Sequence, residues 1–228
     1  MASDALTLTI DGAEPLTAAS VKALASICDQ AEDQAEDHAE DGGPGIVTVH
    51  VTGAPEGAWT SGLDVMLVTK WERTLRRLER LPMATVAVAS GDCGGPALDA
   101  FLATDVRVAA PDTRLLVPRD GTATWPGMAG YRLVQQAGAT RIRRAVLFGL
   151  PIDAPEALAL GIVDELADDP AGALAAAAEL VGGLSGKEVA IRRQLLFDAA
   201  TTSFEDALGP HLAACDRALR QGAGGESR

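Results

Sequence analysis

The chain has 228 residues, 47% of them hydrophobic and 4% aromatic, and a formal net charge of -13. That length suits one domain of ordinary to large size, with a sizeable core built mostly from Ala, Val and Leu. The acidic balance disfavours nucleic-acid binding, which needs a basic face for phosphates, and no stretch nears the roughly 18 uninterrupted apolar residues of a membrane span.

The opening residues, MASDALTLTIDG, lack a basic region followed by a long apolar core, so they do not read as a signal peptide. LTLTID (6–11) alternates and predicts a strand. A helix follows, with Val21, Leu24, Ala25 and Cys28 at helical spacing and Thr17 as N-cap. AEDQAEDHAED (31–41) repeats a tetrapeptide nearly three times, which lays like residues along one helix face. It reads as a solvated helix end or acidic loop, with an interaction tail as the sharper alternative. GGPG (42–45) breaks the chain, and IVTVHVTG (46–53) is an apolar strand.

After a loop, residues 65–81 predict an amphipathic helix. Leu67, Trp71, Leu75 and Leu78 line one face, and Lys70, Arg73, Arg76, Arg77 and Arg80 crowd the other. The charged side is an ordinary solvated face or a local basic patch for a phosphorylated ligand or acidic partner. ATVAVAS (84–90) suits a buried strand. A glycine turn and a helix come next, then two short strands within 105–118 and a glycine-rich loop over 121–130. Residues 131–149 read as helix, break, helix. At 153–161, Asp153 as N-cap, Pro155 and Glu156 have the shape of a capped helix start. IVDEL is a last short strand, and from Asp169 the pattern is helical. Short apolar strands between helices predict an α/β architecture with parallel pairing. The expected division is a core over 1–168, a helical section over 169–222 and a tail over 223–228.

Two loops stand out as site-forming. TSGLD (60–64) is a Ser-Gly turn between strand and helix, and SGDCGGPALDAFLATD (90–105) sets Gly94-Gly95 before Pro96 and a helix. Backbone amides at a helix start stabilise negative charge. Two such turns facing each other would make an oxyanion hole, able to hold a thioester carbonyl as it becomes an enolate. Cys28, Cys93 and Cys215 are odd in number and unrelated in spacing, which argues against a disulfide framework and for a reducing cytoplasm. Three His and three Cys without ligand spacing argue against a metal site. Cys93 has no nearby His to activate it and reads as a small buried filler.

In order and spacing, WTSGLD, the segment 84–118, WPGMAG and LFGLPIDAPEALALGIVDEL resemble the crotonase (enoyl-CoA hydratase/isomerase) superfamily from about residue 5 to 220. Within it the chain is most similar to the hydratase-like auxiliary proteins of dihydroxyphenylglycine biosynthesis. There a type III polyketide synthase makes 3,5-dihydroxyphenylacetyl-CoA for glycopeptide-type antibiotics. The resemblance implies a spiral of ββα repeats with a C-terminal helical section that drives trimers or hexamers. It also implies an acyl-CoA substrate with no separate cofactor, and a synthase or sister crotonase as possible partner.

Carried over by position, the first oxyanion amide is that of Leu63, beside Ser61 and Gly62. The second falls on Pro96, which has no amide hydrogen, so Gly95 or Ala97 would have to donate. The two glutamates of family hydratases map onto Asp99 and Arg119, the second a change of charge sign. Asp99 is expected to move a proton; the alternative is a solvated capping residue. Arg119 is expected to be structural or to meet a substrate carboxylate. Trp125 and Gly127 join the substrate-binding set, and the basic residue often placed before the first loop falls near Gly57. The expected activity is a lyase assisting dehydration and aromatisation of a polyketide thioester, not an ordinary fatty-acid hydratase. The alternative is a catalytically weak scaffold for the synthase or a sister crotonase.

Overall fold

The structure, a computed structural model, describes residues 6–37, 45–121, 123–125, 127–181 and 186–225. Its frame is a mostly parallel sheet in which β1 (Leu6–Asp11), β2 (Ile46–Gly53), β3 (Ala84–Gly94), β4 (Val106–Ala109) and β9 (Glu165–Leu166) lie side by side. All four neighbouring pairs are parallel. β5 (Arg114–Leu116) joins the C-terminal half of β3 in parallel and pairs antiparallel with β8 (Ile152–Asp153). A separate two-stranded ribbon joins β6 (Arg119–Asp120) to β7 (Ala123–Thr124).

β3 is central because both its faces are covered. Val86, Ala87, Val88 and Ala89 are all buried, as expected of a strand inside a parallel sheet. Ala87 and Ala89 belong to the main core, whereas Val88 packs with Val108 and with Ala173 of helix α7 (Pro170–Val181) on the other face. β3 also runs further than its apolar stretch. The expected glycine turn from Gly91 is still strand, and the chain turns only at Gly95.

Helix α1 (Ala18–Asp37) starts at Thr17, whose hydroxyl accepts from the Ser20 amide while the Ser20 hydroxyl accepts from the Thr17 amide. It carries the acidic repeat as far as Asp37; residues 38–41 of that repeat lie outside the described residues. Helix α2 (Val65–Leu78) is capped by Asp64, whose Oδ1 accepts from the Leu67 amide at 2.6 Å. It ends three residues short of the expected stop at 81. Its apolar face buries Trp71, Leu75 and Leu78. Its basic side is partly neutralised within the chain, since Arg77 reaches across to Glu32 and Asp29 of the acidic helix. The acidic repeat and the basic helix therefore meet each other, which reduces both as surfaces for a partner.

Next come α3 (Pro96–Leu102), buried along its whole length, and α4 (Met128–Ala137), α5 (Ala139–Phe148) and α6 (Ala154–Ala159), which each add side chains to the same core. Asp153 caps α6 as expected, its Oδ1 accepting from the Glu156 amide at 2.8 Å. α7, α8 (Gly186–Ala199) and α9 (Phe204–Gly225) make the C-terminal helical section. Arg193 of α8 ties that section to the core. Its guanidinium, buried, holds Asp105 with two nitrogens at 2.6 Å and donates to the carbonyls of Leu81 and Met83. No helix among the described residues is long and apolar enough to cross a membrane.

Candidate active site

The first turn lies between β2 and α2. Ser61 and Gly62 are exposed, and Gly62 has φ +89°, the left-handed region that glycine adopts without strain. The Leu63 amide donates to the Thr60 carbonyl at 3.0 Å, so in this conformation it closes the turn rather than facing a ligand. The turn is braced from the β6–β7 ribbon. The Trp59 indole donates to the Arg119 carbonyl at 3.1 Å, and the Thr60 hydroxyl bonds to the Asp120 carboxylate. Trp59 also packs edge-on against Trp125, with centroids 5.1 Å apart.

The second turn lies between β3 and α3. Gly95 has φ +53° and ψ −131°, and a Cβ there would sit 2.5 Å from Cγ of Pro55. A Cβ at Gly94 would sit 2.9 Å from that of Ala54. The closeness that these glycines permit is therefore to the chain's own 54–55 segment. Pro96 takes the first position of α3, where a missing amide hydrogen costs the helix nothing. Ala97 follows, its side chain buried and its amide among those without a partner inside the helix.

Both turns reach one small pocket. Leu63 from the first, Gly95, Pro96 and Asp99 from the second, and Trp125 line a space of about 10 Å³, room for a single water-sized group. Ser61, Gly62, Ala97, Arg119 and Gly127 are not in its wall. Gly127 lies beneath the Trp125 ring, where a Cβ would come 2.7 Å from the indole nitrogen. The Arg119 side chain is exposed and packs over Gly149, and Asp120 turns to Thr60.

Asp99 is the chemically distinctive wall residue. It is buried, with the Trp71 indole donating to Oδ2 at 3.3 Å and a backbone hydrogen bond from Ala129. Burial, and next the negative charge of Glu72, push its carboxyl up to about 7; Arg132 and the two donors oppose the rise only in part. A carboxyl poised there can give and take a proton near neutrality. Cys93, also beside Asp99, is fully buried, and burial drives its thiol well above the usual range, as suits a filler and not a nucleophile.

Glu72 is the residue that the pattern of the sequence did not single out. It lies on α2 and lines the small pocket as well as a cleft of about 1310 Å³ walled by α2, α4 and α8. Leu63, Val68 and Trp125 are the other residues shared by the two spaces. Glu72 Oε2 accepts from Nη1 of Arg132 at 2.9 Å, and Nε of the same arginine donates to Glu79 at 2.7 Å. The available signal was spacing. Glu72 and Glu79 are seven apart, hence on one face of α2, and both border the apolar stripe rather than its far side.

The family model for enoyl-CoA hydratase/isomerase matches residues 52–217. A protein from Amycolatopsis orientalis named "Enoyl-CoA-hydratase" is 58% identical over 216 residues, covering 95% of this chain and 96% of that one. The chain belongs to the enoyl-CoA hydratase/isomerase family. The family's fold is present as well. A Marinobacter aquaeolei enoyl-CoA hydratase/isomerase superposes with a TM-score of 0.78 at 20% identity, over 98% of this chain and 92% of that one. A Thermobifida fusca protein solved in complex with acetoacetyl-CoA gives 0.73 at 17% identity, over 96% and 93%. The crotonase resemblance carried by WTSGLD, the 84–118 segment and GLPIDAPEALALGIVDE thus holds at the level of the superfamily, and with it an enoyl-CoA hydratase-like function.

Proposed function

We propose that this family member is a lyase acting on an acyl-CoA whose acyl part is a polyketide, assisting its dehydration and aromatisation toward 3,5-dihydroxyphenylacetyl-CoA for dihydroxyphenylglycine. The carrying observation is the buried Asp99 carboxyl in a pocket reached by both turns. Loss of water from a β-hydroxy thioester removes a proton from Cα and adds one to the departing hydroxyl. It is redox-neutral, so beyond the CoA of the substrate no cofactor is called for. Charged groups in the adjoining cleft, among them Glu72, Arg73, Arg76 and Arg132, suit an oxygen-rich chain better than a fatty-acyl one. The thioester oxygen would lie between Leu63 and the 95–97 turn, with Gly95 or Ala97 donating in place of Pro96. The homo-oligomer, a trimer or hexamer, would form through the helical section, where Phe204, Leu212 and Leu219 are exposed.

A second reading is a catalytically weak partner that stabilises a type III polyketide synthase or a sister crotonase. It is favoured by the engaged Leu63 amide and by Pro96, which together leave the oxyanion position short of donors. Adding Asp99→Asn and Leu63→Pro to the synthase with malonyl-CoA separates the two. The catalytic reading expects both to lose the gain in product that the unaltered protein gives; equal gains leave only the scaffold. A pull-down that recovers no synthase complex at micromolar concentration removes the scaffold. Pro96→Gly should tighten acyl-CoA binding in calorimetry, and unchanged affinity would show that residue 96 does not face the thioester. One oxyanion donor is worth roughly 100- to 1000-fold in rate.

A further inference from the structure

We propose that Glu72 is the second catalytic residue of this site, the base that takes the Cα proton while Asp99 serves as the acid. The inference rests on the lyase reading above and adds a group to it. An elimination of water takes a proton from Cα and gives one to the departing hydroxyl, and two carboxyls lining one pocket can divide those tasks. Among the residues of the small pocket, Asp99 and Glu72 are the two that can exchange protons by carboxyl chemistry. Arg119, at the position that should supply the second group, has its side chain in solvent and outside the pocket.

Their surroundings divide the roles. Glu72 faces a guanidinium: Arg132 of α4 donates to it at 2.9 Å and is itself buried and held from the far side by Glu79. That charge-assisted pairing fixes the Glu72 carboxyl at the mouth of the pocket. Asp99 has no ion-pairing cation within bonding distance among the described residues. It sits under Trp71, near Ala129 and the buried Cys93, where the neutral form is the comfortable one. Glu72 also stands where the small pocket meets the larger cleft, so a chain lying in the cleft with its thioester at the turns must pass it.

The balance is closed. Glu72 takes the Cα proton, and the electrons of that C–H bond form the enolate on the thioester oxygen. The enolate collapses to the Cα–Cβ double bond, the Cβ–O bond breaks, and Asp99 hands its proton to the leaving hydroxyl, which departs as water. The pair ends with its proton moved from Asp99 to Glu72. Its return through the shared pocket resets the site.

Two measurements on the full chain test this. The first is exchange of the Cα hydrogens of butyryl-CoA in deuterium oxide, which needs the base and has no leaving group. The second is dehydration of 3-hydroxybutyryl-CoA, which needs both groups. Glu72→Gln keeps the acceptor for Arg132 and should lower both rates about 100-fold. Glu72→Asp should recover part of each. Asp99→Asn should lose dehydration and keep exchange. Because Glu72 raises Asp99, residual dehydration by Glu72→Gln should lose activity at lower pH on its alkaline side. Exchange and dehydration undiminished in Glu72→Gln, with dehydration lost in Asp99→Asn, overturns the role of Glu72 and leaves the lyase reading intact. Equal losses in Glu72→Gln and Glu79→Gln also overturn it, since the effect would then pass through Arg132. No reaction by the unaltered protein with either thioester overturns this proposal, while the lyase reading stands or falls separately on the synthase assay with malonyl-CoA.

Discussion

Asp99 makes a prediction that needs no substrate. Its carboxyl has an ordinary value of 3.8 and is held at about 7 in the fold. Between those values the unfolded chain releases the proton and the folded chain keeps it. The contribution of Asp99 to stability therefore falls as pH rises from about 4 to about 7 and is flat above. The penalty at pH 8 is about 4 kcal/mol. Asp99→Asn should accordingly be no more stable than the unaltered protein at pH 4 and clearly more stable at pH 8, in urea titrations at the two values. A gain that does not grow with pH would mean the carboxyl is better solvated than its burial implies. Gly95 supplies the opposite case. Its φ and ψ lie where other residues are strained, and a methyl group would strike Pro55. Gly95→Ala should cost about 2–3 kcal/mol or more, read as a lowered urea midpoint with unchanged slope.

At the scale of elements, α8 depends on one side chain. Arg193→Met leaves Asp105 and the carbonyls of Leu81 and Met83 without their shared donor. Breaking such a buried pair costs about 3–5 kcal/mol, and amide exchange should quicken in α8 before it does in β3. Equal quickening in both would mean the section does not open separately. The helices and longer strands were legible because each carries its own periodicity or cap: Trp71, Leu75 and Leu78 on α2, Thr17 and Asp153 at helix starts. β6, β7 and β8 were not, since two-residue strands have no period to read and exist only through their partners. The strand character of Gly91–Gly94 was hidden for a related reason, as β5 and not local preference holds it extended. The site divides in the same way. Asp99, Leu63, Gly95, Pro96 and Trp125 could be picked out because motif order carries them. The spacing of Glu72 and Glu79 marks a face of α2 but not what that face meets, which the bonds of Trp71 to Asp99 and of Glu72 to Arg132 decide, and Arg119 sits on a ribbon whose direction only the fold decides.

At the scale of the molecule, exposed Phe204, Leu212 and Leu219 on α9 lie in a chain whose net charge of -13 otherwise favours solubility. The proposed trimer or hexamer should appear in sedimentation as a mass three or six times that of the chain, and Leu212→Arg should shift it toward one; a monomeric unaltered protein would remove the assembly from the proposal. The section bearing these side chains also forms a wall of the 1310 Å³ cleft, through Arg193, Leu196 and Phe197 of α8, with Arg76 of α2 stacked over the Phe197 ring at 5.4 Å. Occupancy and docking are then linked reciprocally. Whatever fills the cleft favours the seated helix by the same factor that a loosened helix weakens the guest. The helical section is thus a reporter on what the cleft holds, and a bound acyl chain should be detectable as slowed amide exchange in α8, about 90 residues downstream of Asp99 in sequence.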